Sequence, residues 1–221
     1  IDFVEKPLSM GKLLATVEQA LTAREAPESE PAPAPVIEPV GRSAAMRGLR
    51  EQAERIAGTD SWVLITGEPG SGRKCLARYI HSLSARRAGP LIEMAAGTIA
   101  GESAAQELFG QEQGERVVPG QLEAAAGGTL ILDGAADLDA GAQTRLASAI
   151  DAGGFQRVGG SRKVPLDVRM IAVAEDDPAV EARAGRFRQD LAYALGVIPV
   201  TVPPLRDHAE DIPELVAFYV D

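Results

Sequence analysis

The stretch Gly67-Glu68-Pro69-Gly70-Ser71-Gly72-Arg73-Lys74 decides the fold. An apolar run at 62–66 leads into it, and residues 75–84, starting at Cys75, have the pattern of a helix. Strand, glycine-rich loop and helix in this order are the context of a phosphate-binding loop. Without Cβ atoms in the way, successive backbone N–H groups wrap around a phosphate, and the helix N-terminus adds a positive dipole. The sequence therefore predicts a phosphate site at residues 67–75.

The loop departs from the usual pattern at its lysine position, where Arg73 stands. A lysine there reaches the terminal phosphates as a compact cation, whereas arginine is bulkier and planar. Lys74 lies one helical step of about 100° further round, so we expect it to point elsewhere. Nucleotide binding is therefore expected to be weakened. Taken alone, such a loop has an alternative reading as a glycine turn that binds nothing.

A second motif runs from Gly120 to Gly134 and ends in a buried apolar strand followed by a carboxylate, Asp133. A carboxylate at the end of a strand beside a phosphate loop suits Mg²⁺, which takes few carboxylates and completes its shell with water and substrate oxygens. Asp133 is therefore a predicted magnesium ligand. The residue after it is Gly134, which has no side chain to orient an attacking water.

Further motifs follow in a fixed order along the chain: Gly41-Arg42-Ser43, Glu107-Leu108-Phe109-Gly110, Phe155-Gln156-Arg157-Val158-Gly159-Gly160, Asp167-Val168-Arg169, Gly185-Arg186-Phe187-Arg188-Gln189-Asp190-Leu191 and Pro203-Pro204-Leu205-Arg206. With the two loops, they resemble the central AAA+ domain of the NtrC family of response regulators, which activate transcription in bacteria. The resemblance covers about Val40 to Asp221. It implies an α/β AAA+ P-loop NTPase fold, a parallel sheet flanked by helices. It also implies ATP or ADP with Mg²⁺ as ligand, and adds Gly41 and Arg42 to the nucleotide site.

Departures from the family pattern fall on its catalytic positions. Gly134 replaces the hydrolytic glutamate, and Ala95 replaces the asparagine that holds this glutamate at rest. Ala174-Glu175 replaces the polar pair that senses the γ-phosphate, and Glu175 is expected to repel phosphate. Of the two arginines that reach into a neighbour's nucleotide, Arg188 remains and the second position is Ala194. The resemblance therefore implies a degenerate ATPase with little or no activity.

Two of the candidate site residues have ordinary alternatives. Arg188, the candidate arginine finger, would otherwise brace a helix by pairing with Asp190 or Glu181. Cys75, just inside a helix N-terminus, would either have a lowered pKa or serve in packing, and packing is favoured.

The family also carries a surface loop, Gly-Ala-Phe-Thr-Gly-Ala, that grips the sigma-54 factor. Here residues 111–119 run directly from Gly110 into Gly120 without it. This shortened form resembles the NtrX branch of the family. Contact with sigma-54 is therefore not expected.

The chain is predicted to comprise three regions. Residues 1–24 resemble the last strand and helix of a receiver domain, in which Lys6 would contact an aspartate that a sensor histidine kinase phosphorylates. Residues 25–39 contain five prolines and form a linker. Residues 40–221 are the AAA+ core. The phosphoacceptor aspartate is expected upstream of the chain, and a lid and a DNA-binding domain downstream.

Within the core, apolar runs alternate with helical patterns, which predicts a parallel sheet covered on both faces. The predicted strands are 62–66, 91–94, 129–133, 166–173 and 198–202. A β-hairpin is predicted between 155 and 167, and a last helix is predicted to open at residues 211–213.

Charge and composition limit the classes of partner that this segment is expected to bind. The 221 residues carry a net charge of −10, so this segment lacks the basic surface of a nucleic-acid-binding domain, and DNA contact is expected from a C-terminal domain. The sequence has neither a membrane-spanning run nor a leader, which predicts a cytoplasmic location without membrane contact.

Three functions are compatible with these observations. The favoured one is a transcription-controlling response regulator whose AAA+ domain binds ATP weakly and self-associates as a dimer or ring. The alternatives are an active ATPase that drives opening of the sigma-54 polymerase complex, and a scaffold that binds no nucleotide.

Overall fold

The computed structural model describes residues 38–98 and 103–220, which lie in a compact unit of residues 37–221. The predicted receiver segment at 1–24, with Lys6, lies outside the described residues. So does the predicted linker, apart from residues 38 and 39.

The described part of the chain contains eight α-helices: α1 (Ala44–Ala57), α2 (Arg73–Leu83), α3 (Ser103–Phe109), α4 (Gln121–Ala124), α5 (Ala140–Ala152), α6 (Pro178–Arg183), α7 (Gln189–Leu195) and α8 (Ile212–Val220). Three 3₁₀ segments lie at Ala96–Thr98, Ala135–Asp137 and Leu205–Asp211. No helix in residues 38–98 or 103–220 has the length and apolar character needed to cross a bilayer.

Nine strands accompany these helices in the described residues: β1 (Val63–Thr66), β2 (Leu91–Ala95), β3 (Gln111–Gln113), β4 (Arg116–Val118), β5 (Thr129–Asp133), β6 (Gly154–Gln156), β7 (Lys163–Pro165), β8 (Arg169–Ala174) and β9 (Ile198–Thr201). Five of them form a parallel sheet in the order β2-β5-β8-β1-β9. The pairs β3-β4 and β6-β7 are separate antiparallel hairpins.

The interiors of the central strands are apolar because the sheet is covered on both faces. Side chains alternate between the faces, so Leu130 and Leu132 of β5 lie in one core cluster and Ile131 lies in the other. The first cluster includes residues of α3, α4, α5 and α7, and the second includes residues of α1 and α2. This arrangement is the predicted α/β fold.

Several predicted boundaries differ from the structure by a few residues, most of all at the fourth core strand and at α2. The fourth core strand begins at Arg169 and not at residue 166, because the preceding residues connect the hairpin to the sheet. The Leu166 N–H donates to the Gly153 carbonyl at 3.2 Å, and the Asp167 carbonyl accepts from Gly127 at 2.8 Å. The predicted hairpin is present as β6-β7. Helix α2 begins at Arg73, two residues before the predicted start.

The topology brings the ends of three strands to one edge of the sheet. Thr66 at the end of β1 is in register with Ala174 of β8, and Asp133 at the end of β5 is in register with Val173. The carboxyl ends of parallel strands are where α/β proteins place their ligands. The loop after β1, Gly134 after β5 and Glu175 after β8 therefore share this edge.

Candidate functional site

The loop at 67–72 joins β1 to α2 through a tight turn. A hydrogen bond of 3.1 Å from the Ser71 N–H to the Glu68 carbonyl closes its turn. Gly72 adopts φ 93°, which an L-residue rarely adopts, and serves as the N-cap of α2. The first amide groups of the helix thus face the loop, as an anion site requires.

Arg73 and Ser71 place buried polar atoms in this loop that have no partner among the described residues. The Arg73 side chain is 14% exposed, and its Nη1 atom is buried without a hydrogen bond. The Ser71 hydroxyl is also buried and unpartnered. Because buried polar groups are almost always hydrogen-bonded, two such groups in one loop indicate a ligand that accepts hydrogen bonds. A phosphate oxygen fits this requirement.

Glu175 lies on the other side of Arg73. Its Oε1 atom is 4.0 Å from Arg73 Nη2, and its side chain is 66% exposed. The carboxylate therefore competes with any phosphate for the same guanidinium. The sequence predicts that Glu175 repels phosphate directly. The structure adds a second route, because Glu175 also pairs with the Arg73 guanidinium.

Lys74 forms a short ion pair with Asp133. Lys74 Nζ lies 2.6 Å from Asp133 Oδ2, and the Asp133 side chain is 28% exposed. The sequence predicts that Lys74 points away from the phosphate site. In the structure its side chain contacts Asp133 at the end of β5. The predicted magnesium ligand thus already has a protein cation as its partner.

Gly134 follows Asp133 in a conformation suited to glycine. Its φ is 71° and its ψ is 45°, the left-handed region. A Cβ atom added there would lie 2.5 Å from Asp137 Oδ2. A larger side chain at this position would therefore meet both an unfavourable backbone conformation and the Asp137 carboxylate.

Gly41 and Arg42 are held by a different group of residues. The Arg42 and Ser43 N–H groups donate to Asp211 Oδ1 at 2.7 and 2.8 Å, and Arg42 also pairs with Glu214 at 3.3 Å. In the described part of the chain, Gly41 and Arg42 contact residues of α1 and of the region around Asp211 and Glu214.

Asp211 is buried, with 2% of its side chain exposed. Burial alone would raise its pKa, but hydrogen bonds from Ser43 and Arg42 outweigh this, and the pKa of the carboxyl is lowered. His208 Nδ1 lies 3.1 Å from the other carboxylate oxygen. The sequence did not predict this role of Asp211. The only available indication was that the motifs at 41–43 and 210–213 occur together in the chain.

Replacing Asp211 with alanine should lower the free energy of unfolding by about 2–3 kcal/mol, because a charged acceptor is lost and the buried Ser43 N–H is left unpaired. Since the folded pKa is lowered, the carboxylate's contribution is present above its ordinary value of 3.8 and is lost as the pH falls through the folded pKa. Urea unfolding followed by Trp62 fluorescence measures both effects. Asp207→Ala, an exposed carboxylate in the same 3₁₀ segment, is the control and should change little.

Glu68 also ties the loop to the segment after β9. Arg206 donates to both oxygens of Glu68 at 2.6 and 2.7 Å, and this hydrogen bonding lowers the pKa of Glu68. Both side chains are more than half exposed. The pair was not predicted, although both residues lie in the motif stretches.

Arg188, the candidate arginine finger, is occupied within its own chain. It donates to Asp190 with two bonds of 3.0 and 2.6 Å, and to the Thr144 hydroxyl at 3.3 Å. Glu181 pairs with Arg186. Of the two alternatives for Arg188, the Asp190 pair is the one present. Its role towards a neighbouring subunit stays a prediction.

Cys75 is partly buried in the first turn of α2. Burial raises the pKa of its thiol, and the nearby Arg78 lowers it by less. The net change in pKa is upward, so the packing alternative for Cys75 remains the favoured one.

Comparison with known proteins identifies the family of the chain. Residues 39–201 match the family described as the Sigma-54 interaction domain. The chain belongs to this family. Its similarity to a nitrogen assimilation regulatory protein, NtrX of Azorhizobium caulinodans, is 42% identity over 226 residues, covering 100% of this chain and 50% of that protein. The response regulator PilR of Pseudomonas aeruginosa is 42% identical over 219 residues, covering 97% of this chain and 49% of PilR.

Solved structures agree with this placement. The chain is similar to NtrX from Brucella abortus in complex with ATP, with a TM-score of 0.78 and 39% identity over 98% of this chain and 48% of that one. The same protein in complex with ADP also gives a TM-score of 0.78, with 40% identity over 99% of this chain and 50% of that one. The AAA+ P-loop NTPase fold expected from the sequence is confirmed, and its relatives are NtrC-type response regulators. The chain spans about half the length of these relatives.

Proposed function

We propose that the chain is the regulatory AAA+ module of a two-component transcription regulator. It binds ATP or ADP weakly at Gly41, Arg42 and the 67–75 loop, hydrolyses it slowly or not at all, and uses the bound nucleotide to stabilise self-association. A sensor histidine kinase acts on it through a receiver domain that includes Lys6. DNA is contacted by a separate C-terminal domain.

One observation carries the nucleotide part of this proposal. Arg73 Nη1 and the Ser71 hydroxyl are buried without partners among the described residues, in a glycine-rich loop at the N-terminus of an 11-residue helix. Donors held in this way lose much free energy when unpaired, and a phosphate satisfies them. The Brucella abortus relative solved with ATP and with ADP supports the same ligand.

Slow hydrolysis is supported by losses at several separate positions. Gly134 has no side chain to orient water, the side chains of Ala95 and Ala174 are methyl groups, and Glu175 adds a negative charge 4.0 Å from Arg73. Ala194 stands where the family resemblance implies the second of two arginines, and an arginine finger contributes about 10³-fold or more in rate. These losses argue against the alternative of an active motor.

Surface features support two further parts of the proposal, namely self-association and the lack of contact with sigma-54. Arg188 is 43% exposed and is held in place by Asp190, which positions it at the surface for a neighbouring subunit in a dimer or ring. The pairing of residues 111–113 with 116–118 as the short hairpin β3-β4 supports the proposal that this chain lacks the family's sigma-54-binding loop. We therefore propose an assembly that does not remodel the sigma-54 polymerase.

The scaffold alternative is favoured by one contact. Glu175 approaches Arg73 to 4.0 Å and acts as an internal competitor for phosphate. If this pair persists in the presence of nucleotide, the loop binds none and the domain acts only through its surfaces.

Isothermal titration of the full-length protein with ATP and with ADP, together with an assay of phosphate release, separates the three functions. We expect saturable binding of both nucleotides, and turnover at least about 10³-fold below the 1 s⁻¹ of a slow ordinary enzyme. Absence of binding at millimolar nucleotide would establish the scaffold. Turnover near 1 s⁻¹ would establish the motor and overturn the proposal.

A further inference from the structure

Position 74 is where phosphate-binding loops ordinarily place a magnesium ligand. In the general motif the residue after the loop cation supplies a hydroxyl to Mg²⁺. Here that residue is Lys74, whose ammonium has three donors and no lone pair with which to coordinate a metal. The loop thus presents a cation where the motif requires an oxygen.

The second expected ligand is engaged as well. Lys74 Nζ lies 2.6 Å from Asp133 Oδ2, within the space that a magnesium ion on this oxygen would occupy at about 2.0–2.1 Å. A divalent ion there would meet the ammonium as a like charge at close range. Among residues 38–98 and 103–220, no three His, Cys, Asp or Glu side chains come close enough to form another metal site. The residues present therefore do not fit Mg²⁺.

The same residues fit a metal-free phosphate. Arg73 offers a buried, unpartnered N–H group, and Ser71 offers a buried hydroxyl. Lys74 uses one N–H on Asp133, which leaves two for phosphate oxygens, so it can join the carboxylate to the phosphates as the ion does elsewhere. Two fixed cations, Arg73 and Lys74, then face the ligand.

We propose that this domain binds its nucleotide without Mg²⁺, with the Lys74 ammonium bridging Asp133 and the phosphates in place of the metal. The inference rests on the proposed nucleotide site and defines its ligand as the free nucleotide anion. It also accounts for the joint loss of the other catalytic groups, because a site without the metal has no use for a residue that orients attacking water.

The test is calorimetric titration of the full-length protein with ADP, once in EDTA and once in excess Mg²⁺. ADP avoids interference from hydrolysis. We expect the Kd in EDTA to equal that in Mg²⁺ within about threefold, or to be lower, since less than 1 kcal/mol separates the two conditions. Mn²⁺ titrated into the protein–ADP complex and followed by its paramagnetic resonance signal should show no binding beyond that of ADP itself.

The matched variants are Lys74→Thr and Lys163→Thr. Lys74→Thr supplies the usual hydroxyl and frees Asp133, so its affinity for ADP in EDTA should fall by about tenfold or more and recover when Mg²⁺ is added. Lys163 is exposed on β7 and donates to the Ala152 carbonyl, so Lys163→Thr should bind ADP as the wild type does.

The outcomes distinguish the two proposals. Wild-type binding that requires Mg²⁺ would overturn metal independence and leave the proposed function standing. Undiminished affinity of Lys74→Thr in EDTA would overturn the bridging role of Lys74. Absence of binding in both buffers would overturn the nucleotide site and this inference together. The wild-type comparison remains decisive even if Lys74→Thr does not fold.

Discussion

Replacing Arg73 with alanine is expected to weaken ATP binding about 10- to 100-fold. The Arg73 side chain is 14% exposed, with a buried Nη1 atom that lacks a partner among the described residues, so a phosphate oxygen would gain a charge-assisted hydrogen bond from it. Such bonds contribute about 1.5–3 kcal/mol. Arg73→Lys should instead strengthen binding, because a compact ammonium reaches the terminal phosphates in the ordinary way. Calorimetric titration of the full-length protein with ATP measures both changes.

Two further variants make this prediction specific. Glu175→Gln removes the carboxylate 4.0 Å from Arg73 and should increase ATP affinity, the opposite direction to Arg73→Ala. Arg87→Ala, an exposed arginine beyond the end of α2, should leave affinity unchanged. If neither Arg73→Ala nor Arg73→Lys alters ATP binding, Arg73 does not contact phosphate.

The fold was predictable because its signals are local and repeated. Each core strand is a short apolar run, and the loop after β1 has a motif that needs only neighbouring residues. The start of β8 was misplaced because residues 166–168 are also apolar or extended, and only their hydrogen bonds to Gly153 and Gly127 exclude them from the strand. Composition does not reveal such bonds.

The site was only partly predictable, because its decisive contacts join distant parts of the chain. Lys74 and Asp133 are separated by 59 positions, and their pairing follows from the sheet order, which places the end of β5 near the start of α2. Asp211 binds Arg42 and Ser43 across 169 and 168 positions. Motif reading identified the segments, but the partners depend on the assembled sheet edge.

These contacts give the unusual residues of the loop a common physical explanation. Arg73 faces Glu175, and Lys74 faces Asp133, so each cation of the loop has an acidic partner on a neighbouring strand end. Buried or half-buried cations need such compensation. A nucleotide must therefore replace or extend these pairs, which is the physical reason to expect weak affinity.

Restoring a glutamate at Gly134 is expected to leave ATP turnover at the wild-type level and to lower the stability of the domain. Gly134 has φ 71°, and a Cβ atom there would lie 2.5 Å from Asp137 Oδ2. A side chain in the left-handed region costs about 1–2 kcal/mol, and the new carboxylate would stand beside Asp133 and Asp137. Ala95, Ala174 and Glu175 would still differ from the residues that position the γ-phosphate and the catalytic glutamate in the family. Phosphate release and urea unfolding are the two measurements.

Gly134→Ala is the matched control, because it adds the same Cβ without the charge. It should lose about 1–2 kcal/mol from the backbone conformation alone. Any additional loss in Gly134→Glu then reports the repulsion from Asp133 and Asp137. A glutamate variant as stable as the wild type would show that the turn after β5 readily adopts another conformation. If that variant also hydrolyses ATP rapidly, Ala95, Ala174 and Glu175 do not prevent catalysis, and a single substitution restores ATPase activity.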